Sequence, residues 1–192
     1  MSCYSFSNLI LYKMKILKKI AIGILSLIAL LLIVALFVRK DYAVVREVTI
    51  NKPSQEVFDY VKFLKNMGNY SVWAKLDPNM KKEYRGTDGT VGFVSAWESN
   101  VKNVGTGEQE ITKIVPGQQL DVELRFMKPF KSTDYAYMIT ENVSDNQTKV
   151  MWGFTGIMPY PMNLMLICVN MDKMLGNDLQ TGLINLKSTL ER

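Results

Sequence analysis

Residues 161–190, PMNLMLICVNMDKMLGNDLQTGLINLKSTL, decide the fold, because they predict one long helix that closes the chain. Apolar residues recur along this stretch at steps of three and four, which is the spacing of a single helix face. They are Leu164, Cys168, Met171, Leu175, Leu179, Leu183, Leu186 and Leu190. Pro161 suits the first turn of a helix, where its missing N–H would have no partner. We therefore expect the rest of the domain to pack against a C-terminal helix.

The first half of this stretch is rich in methionine, a side chain that fills irregular apolar space. Two interpretations follow, because such residues either line an adaptable pocket or form ordinary core. Gly176 and Gly182 each cost about 1 kcal/mol relative to alanine inside a helix. They indicate either close approach of a strand or ligand, or glycines tolerated on the surface.

Seven upstream segments have the composition of β-strands, and the last six are separated by turn-forming residues. They are residues 42–50, 82–86, 91–98, 108–114, 119–126, 132–141 and 149–157. Their close spacing predicts an antiparallel meander. Between the first two strands we expect a helix with Ser54 as its N-cap, and a second helical turn at 66–71. The face of the first of these helices consists of Val57, Phe58, Val61 and Leu64.

Residues 20–38, IAIGILSLIALLLIVALFV, carry no charge and can cross about 30 Å of hydrocarbon as a helix. A signal peptide has a shorter apolar core followed by small residues, whereas this run ends in Phe37, Val38, Arg39 and Lys40. We expect a basic tail at 1–19, a transmembrane helix at 20–38 and a domain at 42–192. Basic residues flank the span on both sides, so the side of the domain stays open, with a preference for a single-pass protein whose domain is extracytoplasmic.

The net charge of +5 belongs to the flanks of the apolar segment. Residues 1–40 contain six basic and no acidic residues, which leaves a net charge of −1 for residues 41–192. This distribution lacks the basic surface of a nucleic-acid-binding protein, and we expect no nucleic-acid partner. The chain has no histidine and two cysteines, which excludes histidine-ligated metals and serine–histidine triads. We expect neither a metal site nor a cofactor.

The order of elements, together with four stretches of sequence, resembles the SRPBCC superfamily. The stretches are INKPSQEVFDYV (50–61), DGTVGFVSAWES (88–99), GTGEQEITKIVPGQQLDVELRF (105–126) and TKVMWGFTG (148–156). More narrowly, residues 42–190 look like bacterial polyketide cyclase/dehydrase-like proteins of the START-related class. The resemblance implies an α+β helix-grip fold, in which a seven-stranded antiparallel sheet wraps around the long C-terminal helix. It also implies a deep apolar cavity between sheet and helix, but no catalytic motif of the family matches this chain.

An excess of large apolar and aromatic side chains agrees with a cavity that binds a hydrophobic small molecule or lipid. The candidate lining residues are Trp73, Phe93, Trp97, Leu124, Phe126, Tyr135, Tyr137, Trp152, Phe154, Met158, Met162, Met165 and Met171. Each of them alone is more often plain core, so the set carries the prediction.

Two other functions stay open at this point. An enzyme of the cyclase or hydrolase kind would require Glu108 or Glu110 to enter the cavity with a raised pKa, although a solvated outer face is the commoner place for such charges. A non-catalytic interaction protein would instead fill the cavity with its own side chains.

Overall fold

The computed structural model describes residues 3–192, with side chains from residue 12 onward. Residues 1 and 2 of the predicted basic tail therefore lie outside the described residues. The chain divides into two compact units. The N-terminal unit contains the residues up to 40 together with 158–168, and the larger unit contains residues 41–157 and 169–192.

The N-terminal unit is built on one continuous helix, α1 (Cys3–Phe37). Its segment Tyr12–Phe37, 26 residues, is long and apolar enough to cross a membrane. The predicted tail is helical from residue 3 onward, continuous with the predicted span.

Asn163 closes the end of α1 within this unit. It is the central residue of a 3-10 turn (Met162–Leu164), which is followed by the short helix α5 (Met165–Cys168). The buried Asn163 side chain donates through Nδ2 to the carbonyls of Ala35, at 2.7 Å, and Val38, at 2.9 Å. Carbonyls at a helix C-terminus lack intrahelical donors, so Asn163 supplies the partners that the last turn of α1 needs.

The larger unit contains a seven-stranded sheet in which every neighbouring pair of strands is antiparallel. The strands are β1 (Asp41–Ile50), β2 (Lys81–Arg85), β3 (Val94–Glu98), β4 (Thr106–Val115), β5 (Gln119–Lys128), β6 (Ser132–Ser144) and β7 (Gln147–Ile157). Their order in the sheet is β1-β7-β6-β5-β4-β3-β2. The predicted meander is confirmed, and the first strand joins it beside the last.

The connection from β1 to β2 is helical, as predicted. It contains α2 (Ser54–Val61), a 3-10 turn at Leu64–Asn66, α3 (Met67–Tyr70) and α4 (Val72–Leu76). The predicted apolar face is buried at Val57, Phe58, Val61 and Leu64. The prediction that Ser54 is the N-cap is wrong. Pro53 takes that place in an extended conformation and Ser54 is the first helical residue, with no capping bond from a side chain.

The C-terminal helix α6 (Met171–Leu190) is shorter than the predicted helix at 161–190. Asn170 has an extended backbone, and its side chain accepts a hydrogen bond from the Lys173 N–H at 2.9 Å. This cap starts a new helix and separates it from α5, because the N-cap residue cannot itself be helical. Leu179, Leu183 and Leu186 on the predicted stripe of α6 are fully buried.

Candidate functional site

A cavity of about 300 Å³ lies inside the larger unit. Its floor is the inner face of the sheet, to which alternate residues of β5 contribute Leu120, Val122, Leu124 and Phe126. A second side of the cavity is formed by Leu175 and Leu179 of α6. A third side is formed by residues of α3 and α4, among them Tyr70 and Trp73. That last set of lining residues is Met67, Gly68, Tyr70, Ser71, Trp73 and Ala74. The cavity volume is at the lower end of the range of about 300–1,000 Å³ that small-molecule sites occupy.

Aromatic rings form two groups along the cavity wall. Trp152 of β7 lies edge-on to Tyr70, with ring centroids 5.7 Å apart, and to Trp73, with centroids 6.3 Å apart. Trp97 of β3 lies edge-on to Phe126 at 5.9 Å, and its indole N–H donates to the Val104 carbonyl at 3.2 Å. Edge-to-face contacts hold these rings in place and leave apolar surface toward the cavity.

The structure brings seven of the predicted residues to the cavity. They are Trp73, Trp97, Leu124, Phe126, Tyr137, Trp152 and Phe154. Phe93 and Met171 are buried elsewhere in the same unit, and Phe93 packs in a core cluster with Leu64, Ile111, Leu120 and Val122. Met158, Met162 and Met165 belong to the N-terminal unit, where Met162 and Met165 are exposed.

Tyr135 is exposed and does not line the cavity. Side chains alternate across a strand, and in β6 it is Ala136 and Met138 that face the cavity. Tyr135 and Tyr137 therefore point to the outer face. Tyr137 borders the cavity, but its ring covers Gly153 on the outer side of the neighbouring strand. The prediction that Tyr135 lines the cavity is therefore wrong, whereas Tyr137 contributes to the cavity wall although its ring lies on the outer face.

The carboxylates considered for catalysis lie on the outer face of the sheet. The Glu108 carboxylate accepts hydrogen bonds from Arg85 at 2.6 Å and from Arg125 at 2.8 Å, and Glu110 accepts one from Arg125 at 2.7 Å. The hydrogen bond from Arg85, reinforced by Arg125, holds the pKa of the Glu108 carboxyl below its usual range. Neither carboxylate is among the residues that line the cavity, so the placement that the enzyme hypothesis requires is not met at either residue.

A carboxylate that sequence reasoning missed is Asp134, which is buried at the end of the sheet beside Gly156 and Tyr42. Burial raises the pKa of Asp134, although a hydrogen bond from Ser132 at 2.9 Å opposes that effect. Burial also raises the pKa of Tyr42 to about 12, and the charge of Asp134 adds to the effect. Asp134 is on the inner face of β6, but it is not among the residues that line the cavity.

Sequence reasoning also missed the polar groups that line the cavity. They are Lys65, Tyr70, Ser71, Lys82, Ser95, Asn103 and Gln109. The Tyr70 hydroxyl, deep in the cavity wall, donates only to the sulfur of Met138 at 3.9 Å among the described residues, and thioether sulfur is a weak acceptor. Strand alternation on β2 could have indicated Lys82 and Tyr84, since both share one face of the strand. Among the described residues, no group of three or more thiol or carboxyl side chains is placed to hold a metal ion.

No protein-family model matches this chain, and no curated protein matches it significantly. Solved structures do match. The protein MLL2253 from Mesorhizobium loti is 14% identical, with a TM-score of 0.57 over 79% of this chain and 98% of its own. Ara h 8.0201 is 14% identical, with a TM-score of 0.52 over 79% of this chain and 99% of its own. A hypothetical protein, jhp0584 from Helicobacter pylori, is 12% identical, with a TM-score of 0.56 over 78% of this chain and 88% of its own.

At these identities the likeness concerns the fold alone. Ara h 8 has a helix-grip fold. The larger unit has that fold too, with its seven-stranded antiparallel open sheet and long C-terminal helix, and the predicted fold class is confirmed.

Proposed function

We propose that this protein is a carrier or receptor for a hydrophobic small molecule or lipid, which it binds in the helix-grip cavity, and that it belongs to the SRPBCC superfamily. The observation that carries the proposal is the cavity itself, about 300 Å³ in volume and lined mainly by apolar and aromatic side chains. Sites of this composition bind apolar ligands by removing their surface from water. A cavity of this volume also argues against an interaction protein that fills the space with its own side chains.

Photochemical labelling of the full-length chain in lipid nanodiscs tests the binding. A ten-carbon alcohol carrying a diazirine is photolysed with the protein, and the modified peptides are mapped by mass spectrometry. We expect adducts on β5 and on the α3–α4 segment, both of which line the cavity. Adducts confined to α1 would contradict the proposal, because they would report only the lipid phase.

Two alanines, one on the inner face of the sheet and one on its outer face, offer a matched pair of variants. Ala136→Leu adds a larger side chain to the inner face of β6 and should reduce labelling of the cavity peptides. Ala43→Leu is the control, because it adds the same volume at an exposed residue on the outer face of β1, opposite Thr155 in the sheet register, and it should leave labelling unchanged. Equal labelling in both variants and the natural protein would overturn the assignment to the cavity.

We infer further that α1 is retained as a membrane anchor, with the domain on the extracytoplasmic side. Support comes from the length and apolar composition of Tyr12–Phe37, a test that a signal sequence also passes. Carbonate extraction and mass determination of the mature chain distinguish a retained anchor from a signal sequence. Cleavage of a signal sequence would release a shorter, soluble protein. Labelling of the exposed Cys168 by an impermeant maleimide, in intact cells expressing a Cys3→Ser variant, reports the side.

A further inference from the structure

The cavity has a mouth between edge strand β2 and the segment of the 3-10 turn and α3. The lining residues that are exposed all come from this region or the nearby β3–β4 loop: Lys65, Gly68, Lys82, Tyr84 and Asn103. At the opposite extreme, Tyr70, Leu120, Trp152 and Leu179 are at most 4% exposed. The cavity therefore runs from a polar mouth to an apolar interior.

Two lysines approach this mouth from different elements. Lys82 shares the inner face of β2 with Tyr84, and it lies opposite Trp97 in the sheet register. Its Nζ is 3.9 Å from the position a Cβ would take on Gly68, which also lines the mouth. The Nζ of Lys65 lies 4.9 Å from the ring centroid of Tyr84, a cation–π contact that holds the ammonium beside the inner face of β2.

Neither lysine has an acidic partner within the described part of the chain. Asp88, the carboxylate beside the 3-10 turn, accepts hydrogen bonds from the backbone N–H groups of Leu64 and Lys65. Glu83 lies on the other face of β2, near Arg85. Among the described residues that line the cavity, none is acidic. The mouth thus carries two lysines that form no ion pair within the described part of the chain.

We propose that the ligand is a single-chain amphiphile with an anionic head group, carboxylate or phosphate, bound by Lys65 and Lys82 with its tail toward Trp152. This inference rests on the proposed function and names the chemical class of the ligand. An anion in the apolar interior would lose its hydration without compensation, whereas at the mouth it keeps water and gains two ammonium partners. The small cavity volume favours one chain over two.

The test compares two photoactivatable probes with the same ten-carbon diazirine chain, one a carboxylic acid and the other an alcohol. Both are photolysed with the full-length chain in nanodiscs of neutral lipid, and adducts on the cavity peptides are quantified. Lys82→Gln and Lys65→Gln should each lower labelling by the acid about threefold, the size expected of a solvent-exposed ion pair. The ratio of acid labelling to alcohol labelling should fall in both variants, because the alcohol carries no charge for an ammonium group to bind.

Lys81→Gln is the matched control, because it removes the same charge from the adjacent residue on the opposite face of β2. Both probes should label the cavity peptides of this variant as strongly as those of the natural protein. Salt at about 1 M should also weaken labelling by the acid, since its Debye length is only about 3 Å. Competition by decyl phosphate and by decanoate then distinguishes the two kinds of head group.

The outcomes separate the two proposals. Labelling by the alcohol in the cavity together with no effect of Lys65→Gln or Lys82→Gln on the acid would overturn the anionic head group and leave the cavity function intact. The anionic head group would also be overturned if Lys81→Gln lost as much labelling by the acid as Lys65→Gln and Lys82→Gln, because the effect would then come from the overall charge of the protein. Failure of both probes to label the cavity peptides would overturn the proposed function itself.

Discussion

Gly182 of α6 lies against the ring of Trp152 so closely that a Cβ on this residue would be 2.6 Å from Trp152 Cζ3. The indole is in turn held by edge contacts to Tyr70 and Trp73. The glycine therefore lets the helix approach the sheet at the cavity wall, and of the two interpretations of this residue from sequence, close approach of a strand is the one observed.

Gly182→Ala should destabilise the domain despite the better helix propensity of alanine. Overpacking costs about 1–3 kcal/mol, against a propensity gain of about 1 kcal/mol, so we expect a net loss of up to about 2 kcal/mol. Gly68→Ala in α3 is the control, because its nearest neighbour would be Lys82 Nζ at 3.9 Å. Urea unfolding of both variants measures the difference, and an unchanged or increased stability of Gly182→Ala would disprove the close contact.

Glu108→Gln should lower the free energy of unfolding at neutral pH by about 1 kcal/mol, because it removes charge from hydrogen bonds to Arg85 and Arg125. The pKa of Glu108 is lowered by these partners, so its contribution is present above its ordinary value of 4.5 and is lost as the pH falls through the lowered pKa. The two proteins should therefore converge in stability in acid. Glu98→Gln, at an exposed residue of β3, serves as control, and a difference that persists in strong acid would refute this account.

Asp134→Asn should stabilise the domain at neutral pH, because burial disfavours the charged form of the natural side chain. The pKa of Asp134 is raised by burial, so its favourable contribution is complete below its unfolded pKa and is lost as the pH rises through the folded pKa. The advantage of the variant should thus grow from acid to neutral pH. Unfolding followed as a function of pH measures it, with Asp145→Asn in the exposed β6–β7 turn as comparison. A loss of stability at neutral pH would indicate that the Asp134 anion is stabilised by its neighbours.

Asn163→Leu should free the segment 158–168 from the end of α1. The variant leaves the carbonyls of Ala35 and Val38 without their donor, at a cost of about 1–3 kcal/mol for buried groups. Hydrogen exchange followed by mass spectrometry should show faster exchange at residues 158–168. The exposed Asn177→Leu should leave that exchange unchanged. Equal protection in both variants would show that the two hydrogen bonds do not hold the segment.

Tyr70→Phe tests whether the deep hydroxyl of the cavity orients a ligand. The hydroxyl has only the sulfur of Met138 at 3.9 Å, so its removal should change the free energy of unfolding by less than about 1 kcal/mol. We expect the diazirine alcohol to shift its adducts along the cavity in this variant, because it loses a donor that could bind its oxygen. An identical adduct pattern would assign the hydroxyl a packing role only.

Local patterns in the sequence predicted the elements of this fold well. Strand alternation and turn residues placed β5 within two residues of both of its ends, and close strand spacing predicted the meander. These features depend on short-range chemistry, because side-chain alternation and turn conformation are decided within a few residues. The break at Asn170 was missed, since an apolar stripe at helical spacing continues through it.

Tertiary structure alone decided which face of β6 carries the site. In β6 both faces hold apolar or aromatic residues, so the pattern could not show that Ala136 and Met138, rather than Tyr135 and Tyr137, face inward. Likewise, the burial of Asp134 and the placement of Lys65 and Lys82 at one mouth depend on the packing of separate elements. The sequence by itself determined the order of helices and strands through local periodicity, whereas the helix-grip arrangement was implied by its resemblance to the SRPBCC superfamily. The cavity, its mouth and its charges arose only when the sheet register and the packing of α3 and α6 brought distant side chains together.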